Sequence, residues 1–98
     1  MKHLQVEVHF KPTASGGRRT PLRLTPGSYR PHFVVEPGKL LGVLFVQASA
    51  STVAPGETAI ATVALMYEGV DYSALEPGAM FDVLEGGQVV AIGRVLPP

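Results

Sequence analysis

Glycine and proline divide this chain into short apolar segments, and this division constrains the fold more than any other feature of the sequence. Pro37-Gly38, Pro55-Gly56 and Pro77-Gly78 mark three turns. Gly86-Gly87 supplies the positive φ angles that a tight hairpin needs. About six strand-like segments separated by such turns, in a chain of 98 residues, predict an all-β barrel or sandwich.

Alternation with a period of two identifies the first strand. In residues 3–10, one face carries Leu4, Val6, Val8 and Phe10, and the other face carries polar side chains. Further strands are expected over residues 32–36, 40–48, 57–67, 79–84 and 89–95, with 40–48 buried on much of both faces. The alanines of 57–67 also suit a helix, but its strand-like neighbours favour a strand. A loop is expected over 12–19, and no ladder should use the nitrogens of Pro21, Pro26 and Pro31.

The composition is typical of a small globular domain. Apolar residues are too frequent for a disordered segment, and closure into a barrel removes the exposed edges that a small sheet would otherwise have. The longest apolar run, residues 40–46, is far shorter than the roughly 20 residues of a membrane-spanning helix. The first residues lack the apolar core of a signal peptide. We therefore expect one domain over residues 1–98, cytoplasmic and with no membrane partner.

Charge is balanced in total but uneven along the chain. Lys and Arg number 8, as do Asp and Glu, which excludes the broad basic surface of a general nucleic-acid binder. Residues 1–32 hold most of the basic residues and a single acid, Glu7, whereas residues 33–98 are predominantly acidic. This asymmetry indicates either two faces with different partners or two halves that pair in the fold. We favour pairing.

The sequence lacks the motifs of several catalytic and cofactor-binding classes. It has no Cys, no G-x-S-x-G turn and no Asn, so a thiol nucleophile, the common serine elbow and the Asn-Lys-x-Asp guanine motif are absent. Residues 15–20 are rich in glycine and arginine but lack the lysine motif of a phosphate-binding loop. His3 and His9, which flank Glu7, are too far apart along a strand to share a metal ion. We expect no enzyme activity, cofactor, nucleotide or metal.

Two stretches of the chain resemble a known protein family. Residues 16–21 (GGRRTP) and 27–33 (GSYRPHF) are similar to the GGRxTP…GYRPQF signature of the C-terminal domain of elongation factor Tu. The similarity continues in the same order through residues 55–57 (PGE), 75–81 (LEPGAMF), 85–87 (EGG) and 90–93 (VAIG). It therefore covers nearly the whole chain.

The resemblance implies a closed six-stranded antiparallel barrel that is not itself an enzyme. In the family this barrel follows a GTPase domain and another barrel. It contacts the GTPase domain and the exchange factor, and it touches the T-stem backbone of aminoacyl-tRNA. Neither preceding domain is present in this sequence, so we expect a domain that acts alone.

We expect eight partner-binding residues: Arg18, Arg19, Arg23, Tyr29, Arg30, His32, Glu85 and Gly86. Arg23 belongs to the basic loop, His32 replaces a signature residue, and the resemblance implies the other six. Arg18 and Arg19 match the family's exposed loop near the GTPase and exchange-factor side. Arg30 lies where the signature strand begins, and we expect it to hold that position by hydrogen bonding to backbone or to a carboxylate. Glu85 and Gly86 match hairpin positions beside the tRNA backbone.

Several positions depart from the family pattern. The family hairpin reads R-E-G-G-R, but here Leu84 and Gln88 replace the two arginines. His32 replaces the glutamine of the signature, and Leu41-Gly42 replaces a Thr-Gly pair near the T-stem. Loss of cations that face phosphates lowers affinity for nucleic acid. tRNA binding in the family's manner is therefore not the leading prediction.

The leading prediction is a non-catalytic protein-binding barrel whose partner is a GTPase, a translation component or a co-encoded protein. The alternative is an RNA-binding module that contacts a tRNA or rRNA backbone through its basic first third. Self-association is a further expectation, because a barrel without its neighbouring domains exposes the surface that would contact them.

Overall fold

The structure, a computed structural model, describes residues 2–24 and 27–98. Within them the strands are β1 (Lys2–Phe10), β2 (Leu22–Arg23), β3 (His32–Val34), β4 (Leu41–Ala48), β5 (Thr52–Val53), β6 (Thr58–Leu65), β7 (Met80–Glu85) and β8 (Gln88–Val95). A short 3-10 helix spans Thr13–Ser15. In this part of the chain no helix is long and apolar enough to cross a membrane.

Six of the strands form a closed antiparallel barrel. Their order around the barrel is β1-β6-β4-β3-β7-β8, and β8 returns to pair with β1, so that Val6 lies opposite Val95. The two remaining strands, β2 and β5, pair with each other in a small separate sheet. The predicted all-β class and the closed six-stranded barrel are thus confirmed.

Alternation along the strands fills the interior of the barrel. Val6, Val8 and Phe10 of β1 are buried, as the period-two pattern predicts. Phe33 and Phe81, on the neighbouring strands β3 and β7, stack inside the core with ring centroids 4.0 Å apart. Burial of each large apolar side chain stabilises the fold by about 1.5–3 kcal/mol.

The segment with ambiguous helix or strand character is a strand. β6 lies between β1 and β4 and hydrogen bonds with both. Its buried residues Ala59, Ala61 and Val63 belong to the core of the barrel. Pairing on both edges overrides the helix propensity of the alanines.

The hairpin between β7 and β8 has the expected turn. Glu85 pairs with Gln88, and the two residues between them, Gly86 and Gly87, have φ angles of 56° and 87°. Two positive φ angles in a two-residue loop define the type I′ turn, which matches the twist of the flanking strands.

Other boundaries differ from the sequence-based expectations. β3 ends at Val34 because the chain turns at residues 36–39, where the Lys39 nitrogen donates to the Glu36 carbonyl. β4 is buried on both faces only at its start, whereas Val46 and Gln47 near its end are exposed. β2 and β5 were not expected. Pro21 and Pro31 lie outside the strands, as predicted, whereas Pro26 lies outside the described residues.

Candidate functional site

The topology brings the predicted site residues to one end of the barrel. β1 ends at Phe10 and β3 begins at His32, so the segment between them leaves and returns at the same end. The β7–β8 turn and the β4–β6 connection, residues 49–57, lie at this end too. All eight candidate residues therefore lie there, and we call it the basic end. The opposite end, formed by the start of β1 and by residues 35–40 and 66–79, is called the acidic end.

Charge is segregated between these two ends. The basic end carries Lys11, Arg18, Arg19, Arg23 and Arg30 against Glu57 and Glu85. The acidic end carries Glu36, Glu68, Asp71 and Glu76 against Lys2 and Lys39. The uneven charge along the sequence thus becomes an uneven charge between the two ends of one barrel.

The favoured pairing of the two halves of the chain is confirmed in part. Among the described residues, two ion pairs join the halves: Arg18 with Glu85, and Glu7 with Arg94. Within the described residues, the cations of the basic end other than Arg18 form no ion pair. The other interpretation, two surfaces of different charge, fits the structure better.

A hydrogen-bonded network of three candidate residues closes the basic end. Glu85 follows the buried residues Phe81 and Val83 on the inner face of β7, so its carboxylate lies at the rim of the barrel. Arg18 Nη1 donates to Glu85 Oε1 at 2.5 Å, and the Tyr29 hydroxyl donates to Glu85 Oε2 at 2.6 Å. The network therefore fastens the loop of Arg18 and the segment before β3 to the end of β7.

The network holds the Tyr29 hydroxyl in its protonated form, in which it donates a hydrogen bond to Glu85. Its side chain is buried against Phe10 and Phe45, with ring centroids 6.5 and 5.1 Å away. Burial raises the pKa of Tyr29 far above its ordinary value, and the hydrogen bond and negative charge of Glu85 raise it further, against a smaller opposing effect of Arg18. Tyr29 therefore keeps its proton and donates a hydrogen bond to Glu85.

Arg18 is also committed to the fold. Its side chain and that of Glu85 are each only 26% exposed, and its buried Nε atom has no hydrogen-bond partner among the described residues. A half-buried guanidinium with an unpaired nitrogen depends on its carboxylate for compensation. Glu85 supplies that compensation.

The loop that bears Arg19 is held in a defined shape. Gly17 packs so closely on the backbone of Lys11 that a Cβ atom would overlap the Lys11 carbonyl. The Gln88 side-chain amide donates to the Gly16 carbonyl at 2.8 Å, and the Thr13 hydroxyl donates to the Arg18 carbonyl at 2.7 Å. Gln88 thus fastens the loop.

The remaining candidate residues are exposed. Arg19, Arg23, Arg30 and His32 all point to solvent, and Arg19 borders an open cleft of about 410 Å³. Arg30 makes none of the expected contacts within the described residues, because it alternates with the buried Tyr29 and so faces outward. Tyr29 and Arg18, rather than Arg30, make the hydrogen bonds to a carboxylate, that of Glu85. Gly86 occupies the β7–β8 turn with a positive φ angle.

The polar face of β1 does not gather into a metal site. Glu7 interacts with Arg94 at 3.4 Å, and His9 hydrogen bonds with the Thr58 hydroxyl at 2.9 Å. Over residues 2–24 and 27–98 no group of three metal-ligating side chains comes together.

Comparison with known protein families adds no assignment: no family model matches the sequence. Two features of the molecule were not predicted from the sequence. One is the β2–β5 sheet, which carries Arg23 at the basic end. The other is a cleft at the acidic end, described below.

Proposed function

We propose that this chain is a non-catalytic binding module related to the C-terminal domain of elongation factor Tu, and that its basic end binds a partner protein. One observation carries the proposal: Arg19, Arg23, Arg30 and His32 are exposed together at one end of the barrel. Within the described residues the three arginines form no ion pair, so their charges are available to an acidic surface.

The proposed partner is a cytoplasmic GTPase, a translation component or a co-encoded protein. The resemblance supports these classes, and the geometry of the loop supports binding by its arginines. Because Gln88 and Thr13 already fix the backbone beside Arg19, little backbone entropy is lost when a partner binds. Binding driven by such exposed charges weakens as ionic strength rises.

The test is affinity enrichment from the host's lysate, with and without ribonuclease. The basic-end variant replaces Arg19, Arg23 and Arg30 with Ser. A matched control replaces Lys2, Lys39 and Arg94, which lie at the acidic end and on the barrel wall, and loses the same charge. We expect one protein to be enriched by the wild type and the control, but not by the basic-end variant, in both lysates. Equal enrichment by all three chains would contradict the proposal.

RNA binding is the second candidate, and the gathering of five basic residues at one end favours it. Each phosphate contact contributes a slope of about one to the dependence of log affinity on log salt. Enrichment that disappears with ribonuclease would indicate that the basic end binds RNA rather than a protein. A dissociation constant for bulk tRNA above about 1 mM at physiological salt, weaker than ordinary non-specific binding, would exclude it.

A further inference from the structure

The acidic end carries a cleft that the proposed function does not use. Residues 66–79 cross this end without forming a strand and pack on the core through the buried Leu75. Beside them lies a cleft of about 750 Å³, and an adjoining cleft of about 270 Å³ shares Val70, Asp71 and Ser73 with it. The combined space is large enough for several side chains of a bound segment.

The cleft exposes apolar side chains. Leu40 is 54% exposed, Tyr67 is 50% exposed and Val70 is 36% exposed, and all three line the two adjoining spaces. Apolar side chains that share one concavity mark interaction surfaces more reliably than single exposed ones. The cleft therefore provides anchoring positions for apolar groups.

The walls of the cleft are already fixed. The Tyr67 ring lies on Gly42 of β4, where any Cβ atom would overlap the ring. The Tyr72 hydroxyl donates to the Gly42 carbonyl at 2.7 Å and accepts from the Tyr67 nitrogen at 3.2 Å. These contacts tie the 66–79 segment to the barrel, so that little ordering is needed when the cleft is filled.

The charges that border the cleft are mainly negative. Glu68 and Asp71 line it and form no ion pair within the described residues, whereas Lys39 is paired with Glu36 at 3.2 Å. The Asp71 carboxylate accepts a hydrogen bond from the Ser73 nitrogen at 2.9 Å, which fixes its position. Lys2 is the one unpaired cation among the described lining residues.

We propose that this cleft binds a short segment of a partner protein in which apolar side chains alternate with Lys or Arg. The apolar side chains occupy the space beside Tyr67 and Val70, and the cations lie near Glu68 and Asp71. A second copy of this chain is a poorer match. The basic end of a second copy has the complementary charge. The most exposed apolar side chains, such as Met80, do not lie at that end.

Fluorescence anisotropy with labelled peptides tests the proposal. The probe peptide alternates Leu and Arg, and two comparison peptides alternate Leu with Glu or Ser with Arg. We expect the Leu/Arg peptide to bind the purified chain at least about tenfold more tightly than either comparison peptide, since loss of one buried apolar anchor or of the complementary charges costs about that factor.

Variants locate the binding to the cleft. Val70→Ser should weaken binding of the Leu/Arg peptide about tenfold, and Glu68→Gln with Asp71→Asn should weaken it and reduce its salt dependence. Met80→Ser, at a 59% exposed position on β7, is the apolar control. Glu76→Gln with Asp82→Asn removes the same charge outside the cleft and should leave binding unchanged.

Three outcomes would overturn the proposal. One is no binding of the Leu/Arg peptide, and another is an equal effect of Val70→Ser and Met80→Ser. The third is sedimentation showing dimers that Val70→Ser abolishes, which would assign the cleft to a second copy. The basic-end variant should bind the peptide as the wild type does, so failure here is distinguishable from failure of the proposed function.

Discussion

Replacement of Tyr29 by Phe is expected to destabilise the fold through loss of one hydrogen bond. The Tyr29 hydroxyl is buried and donates to a carboxylate at 2.6 Å. Hydrogen bonds to charged groups contribute about 1.5–3 kcal/mol. Because Glu85 keeps its contact with Arg18, the loss should lie at the lower limit, about 1.5 kcal/mol, which lowers the Tm of a domain this size by about 6–12 °C.

Replacement of Glu85 by Gln should cost more. The amide keeps the shape of the carboxylate but removes the charge opposite Arg18. Its NH2 group, itself a donor, faces either the Arg18 guanidinium or the Tyr29 hydroxyl, both of which donate to Glu85 in the wild type. Since this pair is 26% exposed, we expect about 3 kcal/mol, the lower limit for breaking a fully buried pair. Asp82→Asn, on the outer face of the same strand, is the matched control and should stay within about 0.5 kcal/mol of wild type.

The assay is urea denaturation followed by far-ultraviolet circular dichroism, with the double variant Tyr29→Phe/Glu85→Gln completing a cycle. The two substitutions share one hydrogen bond, so the double variant should be more stable than the sum of the single effects predicts, by about 1 kcal/mol. Additive effects, or a cost of Glu85→Gln no larger than that of Asp82→Asn, would refute the claim that the network fastens the basic end.

Three further predictions follow from other contacts. Above about pH 10, the ordinary pKa of tyrosine, stability should fall by about 1.4 kcal/mol per pH unit more steeply in wild type than in Tyr29→Phe, because only the unfolded state releases the Tyr29 proton; identical pH profiles would contradict this. Gly17→Ala should cost about 3 kcal/mol in the same urea assay, because its Cβ overlaps the Lys11 carbonyl; a near-neutral result would show that the loop can move. Gly86→Val should cost about 2 kcal/mol and Gly86→Asn much less, because Asn tolerates a positive φ and Val does not; equal melting temperatures would contradict the turn geometry.

The sequence was sufficient for the parts of the fold that local chemistry decides. Alternation in β1 and the glycine pair at residues 86–87 specify a strand and a turn without reference to the rest of the chain. β2 and β5 could not be predicted in this way, because strands of two residues are too short to show a period. Their pairing depends on the long-range contact of Leu22 with Val53.

The sequence singled out the residues of the Arg18–Tyr29–Glu85 network but not their contacts with one another. The resemblance selected Arg18, Tyr29 and Glu85 separately, yet nothing local shows that Tyr29 and Glu85, which are 56 positions apart, meet in the fold. The same limit explains why Arg30 makes none of its expected contacts within the described residues. Its side chain faces outward because the neighbouring Tyr29 is buried. The acidic-end cleft has no sequence signal, since residues 66–79 follow no strand or helix period and Tyr67 gains its position only through Gly42.

Closure of the barrel has a consequence for how the chain reaches its native state. β8 pairs with both β1 and β7. Until β8 has been synthesised, each of these two strands therefore keeps one unpaired edge. Unpaired edges recruit other chains, which makes the incomplete barrel prone to aggregate. The pairing of β1 with β8 also joins the most distant strands in the sequence, and such non-local contacts slow folding. Folding therefore completes only after residues 88–95 have been synthesised, and a chain that lacks them leaves one edge of β1 and one edge of β7 unpaired.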